Sequence, residues 1–309
     1  MDFWKGNMEN NWKKLGLVYP GHHAQLPVTE VLDDRIRVYY STRNTEGKSL
    51  PMFMDIDLEN PLHQLSPAKS LGLELGNPGS FDWSGIMPTK FIQKGYTKML
   101  YYIGWSRRVD VPYHNNLGLA ISEDDGQTWR KFSKGPVFNT SQDEPGYIGT
   151  AEILIDGDTW RMWYLSCQEW IEHQGTMEPI YDIKYAESSD GLRWTPSGNV
   201  HIPLSGKEGG ISAASIFKNG DFYEMLFSVR DKINYRVDVN SSYRIKKAIS
   251  SDLKNWVRAD SIEVDVSENK WEDFMVCYPC VTVTPSNTFL FYNGNGFGKA
   301  GICVAKKIT

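Results

Sequence analysis

Short runs of four to six apolar and aromatic residues recur along the chain, separated by polar, glycine-containing stretches. Helical periodicity is nearly absent. The runs are IRVYY (36–40), KMLYY (98–102), RMWY (161–164), YEMLF (223–227) and TFLFY (288–292), and their last residues stand 62, 62, 63 and 65 positions apart. A period of that length marks a repeated structural unit. Each repeat reads as strand, turn, aromatic strand, loop, strand, Asp-containing turn and short strand, which predicts one four-stranded antiparallel sheet. Small sheets repeated radially, with only short edges left open, make a propeller. The pattern therefore predicts an all-β fold, a five-bladed β-propeller with four-stranded antiparallel blades. One domain spans residues 1–309.

The Asp-containing turn recurs as SEDDGQTW, ending at Trp129, as SSDGLRW, ending at Trp194, and as SSDLKNW, ending at Trp256. In such a turn the Asp side chain bonds backbone amides of the loop, Gly takes a positive φ and Trp packs back between sheets. The third copy has Leu253 where Gly stands in the others. The motif is read as a structural joint between outer strands.

Composition narrows the function classes. Apolar residues make up 40% and charged residues 23%, as in an ordinary globular core. The net charge of −5 argues against nucleic acid and anionic membranes as partners. No run reaches the roughly 20 apolar residues of a membrane span. The opening MDFWKGNMENNWKKLG has no apolar leader segment, so a cytoplasmic, reduced protein is expected. Cys277 and Cys280 have CxxC spacing, but side chains three apart on a strand face opposite ways, and no metal is expected. His22-His23 is the only pair of neighbouring histidines. NGNGFG (293–298) joins two strand-like runs and is not a dinucleotide motif, so no cofactor is expected.

Aligning the repeats on the aromatic strand places Asp82 six residues before Pro88 and Asp273 six before Pro279, with Glu144 at the same offset in the third repeat. Glu208 is a less clear fourth acid, and Asp143 and Glu272 are adjacent alternatives. Carboxylates converging on a channel suit glycosidic chemistry, in which one group donates a proton and another acts as base or nucleophile. On that reading Glu144 is the general acid, Asp82 the base or nucleophile, and Asp273 or Glu272 tunes pKa values or binds hydroxyls. The competing reading makes these acids turn caps. A second set follows each aromatic strand: Arg43, then Trp105, Arg107 and Arg108, then Gln168, Glu169 and Trp170, then Arg230 and Asp231, then Asn293 and Asn295. Guanidinium groups bind carboxylate or phosphate bidentately, and they equally pair with acids to hold blades in register. His23, Gln25 and Tyr278, on or beside the inner strands, complete the predicted sugar-contacting set.

With these residues in place, the chain resembles the five-bladed propeller glycosidases, the superfamily of glycoside hydrolase families 32, 43, 62, 68 and 130. The resemblance covers essentially the whole chain and rests on the five repeats, the AxSxDGxxW-like turns and the inner-strand acids. HAQLP, STRN, GSFDWSGIMP, YYIGW, MVCYP and YNGN are similar to patterns of a bacterial subgroup of predicted glycosidases often encoded with surface-polysaccharide genes. The resemblance implies a carbohydrate-active enzyme, a glycoside hydrolase acting on a carbohydrate or anionic sugar. Its alternatives are a phosphorylase or transferase using an arginine-lined anion site, and a non-catalytic sugar-binding propeller; a sialidase is a weaker one. Family 43 places an acid before the inner-strand proline of early blades; here Leu26, Met87 and Tyr278 precede Pro27, Pro88 and Pro279. The Asn-Asp-Pro and Arg-Asp-Pro of family 32 are absent. Oligomeric state is left open.

Overall fold

A computed structural model describes residues 11–308 except His22, with the backbone alone at Asp260. The first ten residues of the opening segment, and His22 of the histidine pair, lie outside the described residues. After β1 (Trp12–Pro20), the strands fall into successive antiparallel units. The first comprises β2 (Gln25–Val31), β3 (Arg35–Arg43), β4 (Ser49–Asp57) and the two-residue β5 (Lys69–Ser70). Next come β6 (Gly85–Lys94), β7 (Thr97–Arg107), β8 (Tyr113–Ser122) and β9 (Arg130–Lys131). A third unit has β10 (Ile148–Asp156), β11 (Thr159–His173), β12 (Thr176–Ser188) and β13 (Thr195–Ile202), and a fourth has β14 (Glu208–Asn219), β15 (Phe222–Asp231), β16 (Arg244–Ser250) and β17 (Val257–Val264). Last are β18 (Cys277–Val283), β19 (Thr288–Asn293), a helical turn α1 (Asn295–Gly298) and β20 (Gly301–Lys307).

The first two units are joined into one sheet by a single parallel residue pair, Ser49 with Gly85, and the third and fourth by Tyr181 with Gly210. The last sheet takes its outer strand from the other end of the chain, in the order β1-β20-β19-β18. First strands pack in a cycle: β2 on β6, β6 on β10, β10 on β14, β14 on β18, and β18 on β2. Hydroxyls tie several of these contacts. Thr29 bonds Thr282 at 2.8 Å, the Ala213 amide donates to Thr150 at 2.7 Å, and the Val281 amide donates to Ser215 at 2.9 Å.

The aromatic runs occupy the second strand of each unit and are buried because a neighbouring unit covers each face. Ile36, Val38 and Tyr40 pack with Phe289 and Phe291, while Tyr39 of the same strand packs with Leu100 and Tyr102. Tyr101 packs with Trp160 and Met162, and Trp163 with Met225 and Phe227. Leu226 packs with Leu290 and Tyr292, which returns the core to the last unit. Side chains alternating to opposite faces thus serve two interfaces at once.

The Asp turns are joints, as the sequence predicts. Asp124, Asp190 and Asp252 accept amides of their own loops at 2.8–2.9 Å. Leu253 adopts φ +62°, the left-handed conformation that Gly191 adopts in the second copy at +77°.

Candidate functional site

Each first strand carries an irregularity near its start, where the ladder skips: between Gln25 and Val28, Pro88 and Lys90, Ile148 and Ala151, Ser212 and Ser215, and Cys277 and Cys280. A bulge re-aims the side chains beside it. Leu26, Met87, Gly149, Ser212 and Tyr278 sit at or beside these points, and all five line one cavity of about 220 Å³. Leu26 and Tyr278 take left-handed φ values of +57° and +58° there. Leu26, Met87 and Tyr278, the residues before Pro27, Pro88 and Pro279, thus give the cavity an apolar and aromatic floor.

The walls come from the second and third strands, the loop after β15, the residue before β10 and α1. Arg43, Trp105, Asn115, Tyr113, Tyr147, Tyr181, Tyr235, Arg236, Tyr243 and Phe297 line them. The Arg43 guanidinium lies 5.8 Å from the centre of the Trp105 ring. Burial pushes the pKa of Arg43 down, and nearby Arg107 pushes it the same way while Tyr278 opposes both. The tyrosines are held mutually: Tyr181 and Tyr243 share a hydrogen bond between hydroxyls, and Tyr113 packs edge-on to Tyr147. Burial raises the pKa of Tyr147, Tyr243 and Tyr278 well above the ordinary phenol value. Three buried polar atoms of lining residues, Gln25 Oε1, Asn115 Oδ1 and Ser212 Oγ, have no hydrogen-bond partner among the described residues. Among the described residues, no Asp or Glu lines this cavity.

The acids expected at the axis are not among the described residues that line this cavity. Asp82 accepts hydrogen bonds from Tyr102 at 3.3 Å and Ser80 at 3.1 Å, and pairs with Lys131 at 2.5 Å. Glu144 repeats this with Tyr164 at 2.9 Å, Ser166 at 2.5 Å and Lys184 at 3.6 Å. Glu272 repeats it again with Tyr292 at 2.7 Å, Ser267 at 2.7 Å and Lys14 at 3.1 Å. Each acid is thus clamped inside its own unit by a tyrosine of the aromatic strand and a lysine. Burial tends to raise the pKa of Glu272, but the bonds from Ser267 and Tyr292 and the charge of Lys14 leave it lowered. Asp273 is bound by Asn295 at 2.7 Å and Lys270 at 3.4 Å. Glu208 pairs with Lys246 and Arg258. None of Asp82, Glu144, Glu272 and Asp273 lines the cavity. Asp82 and Glu144, and in the last unit Glu272 rather than its neighbour Asp273, are the acids that a tyrosine hydroxyl captures.

Of the predicted contact residues, Gln25, Arg43, Trp105 and Tyr278 line the cavity. Others are structural or lie outside. Arg230 is buried, donates to the carbonyls of Pro179, Asp231 and Lys232, and stacks on Tyr181 and Tyr235. Arg107 donates to the Glu46 carbonyl at 2.7 Å. Asn293 joins the last unit to the first, donating to the Ala24 carbonyl at 2.6 Å and accepting from the Leu26 amide at 2.8 Å. Asn295 caps the Phe274 and Met275 amides. Glu169 is exposed on β11, and His23 sits in the turn before β2 at φ +58°. Cys280 contacts Thr29 while Cys277 packs with Met275 and Tyr243, so the CxxC thiols do not converge. Among the described residues no cluster of His, Cys, Asp and Glu is placed to hold a metal ion, and no helix is long and apolar enough to cross a membrane.

Sequence reasoning missed the tyrosine wall, although a signal for it exists. Asn115, Tyr181 and Tyr243 each stand five residues before the alanine that opens the Asp turn, Ala120, Ala186 and Ala248. The turn motif therefore indexes the cavity. Tyr235 and Arg236 lie in an irregular loop and carry no periodic signal.

No model of a known protein family matches the chain. Over 307 residues it is 32% identical to the uncharacterized protein Rv1502 of Mycobacterium tuberculosis, spanning 95% of this chain and 98% of that one. Among solved structures, one described as a glycoside hydrolase superposes with a TM-score of 0.74 at 18% identity, over 95% of this chain and 91% of that one. A thermostable family-43 glycoside hydrolase gives 0.65 at 17% identity, over 93% and 91%. A structure of the family 130 mannoside phosphorylases and glycoside hydrolases that target β-1,2 mannosidic linkages in Candida mannan gives 0.69 at 12% identity, over 100% and 95%. The shared fold is that of the propeller-type glycoside hydrolases.

Proposed function

The chain belongs to the family of the Mycobacterium tuberculosis protein Rv1502 and has the fold of the propeller glycoside hydrolases; from that premise we propose that it is a carbohydrate-active enzyme that binds an anionic sugar in the tyrosine-walled cavity and cleaves its glycosidic bond. The five units are read as the blades of one propeller domain, with the cavity at its axis. One observation carries the reading: Gln25 Oε1, Asn115 Oδ1 and Ser212 Oγ are buried lining atoms without partners among the described residues. An unpaired buried polar group is destabilising by about 1–3 kcal/mol. Sugar hydroxyls satisfy such atoms while the pyranose face stacks on Trp105. Arg43, whose charge burial and Arg107 both disfavour, gains most from an anionic substituent. We keep the cytoplasm as the compartment, supported by four free cysteines.

A second reading, sugar binding without turnover, is favoured by the absence of Asp and Glu from the lining. A screen of aryl glycosides of uronic acid, 2-keto acid and neutral sugars, with and without phosphate, separates the readings. Hydrolysis of an acidic glycoside is expected, with Arg43→Ala and Trp105→Ala each weakening affinity at least about 10-fold. Arg107→Ala, outside the cavity, should change it less than about 3-fold. Binding without release of the aryl group supports the second reading, strict phosphate dependence a phosphorylase. Preference for neutral sugars overturns the anionic assignment.

A further inference from the structure

Resting on the catalytic reading above, we propose that Tyr235 is the nucleophile of this cavity, with Glu178 as its proton acceptor and Arg236 as the cation that holds its oxygen. Tyr235 lines the cavity. Its hydroxyl donates to Glu178 Oε2 and accepts from Arg236 Nη2 at 2.8 Å. Arg236 also grips Glu178, through Nε at 3.2 Å and Nη2 at 3.4 Å. The guanidinium groups of Arg230 and Arg236 lie 4.1 Å and 4.7 Å from the centre of the Tyr235 ring. The phenol oxygen thus meets a base and a donor cation, Arg236, while Arg230 and Arg236 both lie over its ring.

Other hydroxyls of the wall lack this company: Tyr181 and Tyr243 bond each other, and their immediate partners include no carboxylate. Among the described residues no carboxylate lines the cavity, and Tyr235 is the lining group that connects it to Glu178. Burial holds the Tyr235 pKa above the ordinary phenol value, with Arg230 and Arg236 acting the opposite way. The phenol is therefore protonated at rest and loses its proton to Glu178 only as it reacts. The loop that carries it is fixed by Asn234 at φ +63° and by a 3.0 Å bond between Asn234 and His173 of the long β11–β12 hairpin.

The reaction balances as follows. The Tyr235 oxygen bonds to the anomeric carbon as its proton passes to Glu178. The glycosidic C–O bond breaks, and its electron pair leaves with the aglycone oxygen, which takes a proton from water. The hydroxide so formed, or a water that it deprotonates, attacks the same carbon. The bond to Tyr235 breaks, its electron pair returns to the phenol oxygen beside Arg236, and Glu178 gives the proton back. One glycoside and one water yield the free sugar and an alcohol, with two displacements at carbon and net retention of configuration.

The test uses the full chain and an aryl glycoside that the wild type hydrolyses. Tyr235→Phe keeps the ring and its stacking; it should lower kcat at least about 10³-fold while product affinity changes less than about 3-fold. Glu178→Gln, which keeps the shape but cannot take the proton, should lower kcat at least about 10²-fold. The matching 2-deoxy-2-fluoro aryl glycoside should leave a glycosyl mass on the peptide containing Tyr235, a readout independent of variant folding. Label on a carboxylate-bearing peptide, inversion at the anomeric carbon by NMR, or turnover surviving Tyr235→Phe overturns the assignment while leaving the enzymatic reading intact. No hydrolysis of any aryl glycoside by the wild type overturns both.

Discussion

At the residue scale, the acids of this protein are sorted by what surrounds them. Asp182, on β12 beside Tyr181, is an informative case. Its carboxylate accepts from Gln168 at 3.2 Å and is buried, and burial lifts its pKa from 3.8 to about 6, opposed by Lys184 and reinforced by Glu144. Folding therefore favours the protonated carboxyl. The contribution to stability is largest at low pH, falls as pH rises from 3.8 to about 6, and is a fixed penalty above that range. Asp182→Asn keeps the shape and removes the charge. It should raise stability at pH 7.5 by on the order of 2–3 kcal/mol and by much less near the unfolded-state pKa. Thermal melts at pH 7.5 and 4 check this; an equal gain at both values would refute it. The same sorting explains what was legible at this scale. Arg43, Trp105 and Tyr278, which line the cavity, were legible because each stands at a short offset from an aromatic strand or an inner-strand proline. The tyrosine bonds of Asp82 and Glu144 were not, because a repeat alignment gives sequence position and not the partner that captures the side chain. Tyr235 and Arg236 escaped because an irregular loop has no period.

At the element scale, the first strands hold one another by polar contacts that sheets alone would not provide. Between β6 and β10, Lys90 pairs with Glu152 at 2.5 Å, and Glu152 is nearly fully buried. Burial raises the Glu152 pKa, with Lys90 acting against it. A lone buried carboxylate is far worse than either the pair or its apolar replacement. Lys90→Met should therefore destabilise by about 3–5 kcal/mol, and adding Glu152→Leu should recover most of the loss. Urea denaturation of the single and double variants decides it; additive losses would show that the pair is not a coupled unit. Strand existence and order were readable because each aromatic run serves two interfaces and so must be apolar throughout. The bulges were not, since a skipped ladder position needs no distinctive residue at Leu26 or Ser212.

At the scale of the whole molecule, the last unit depends on a strand from the opposite end of the chain. β1 pairs with β20 from Trp12–Lys307 to Pro20–Gly301, and Trp12 is buried against Phe217 of the preceding unit. Gly301 has φ +122°, and a Cβ there would come within 2.0 Å of the Tyr19 carbonyl oxygen. Gly301→Ala should therefore destabilise the entire molecule by more than about 3 kcal/mol, lowering the midpoint of a single cooperative transition. A variant melting within a degree of the wild type would mean that this seam is not tight. The period of about 63 residues foretold the repeats but not the seam, because β1 has no aromatic run of its own and its partner lies at the far end of the sequence.

The seam also orders events during synthesis. Of the described strands β1 leaves the ribosome before the others, while β20, the edge it must cover, is made after them. Until β20 emerges, β1 lacks its ladder partner and β19 has only one neighbour, so the nascent chain passes through a stage with both of these edges open. Ribosome-bound chains stopped before Gly301 should be the form most readily captured by chaperones, and completion of β20 should be what makes the protein protease-resistant.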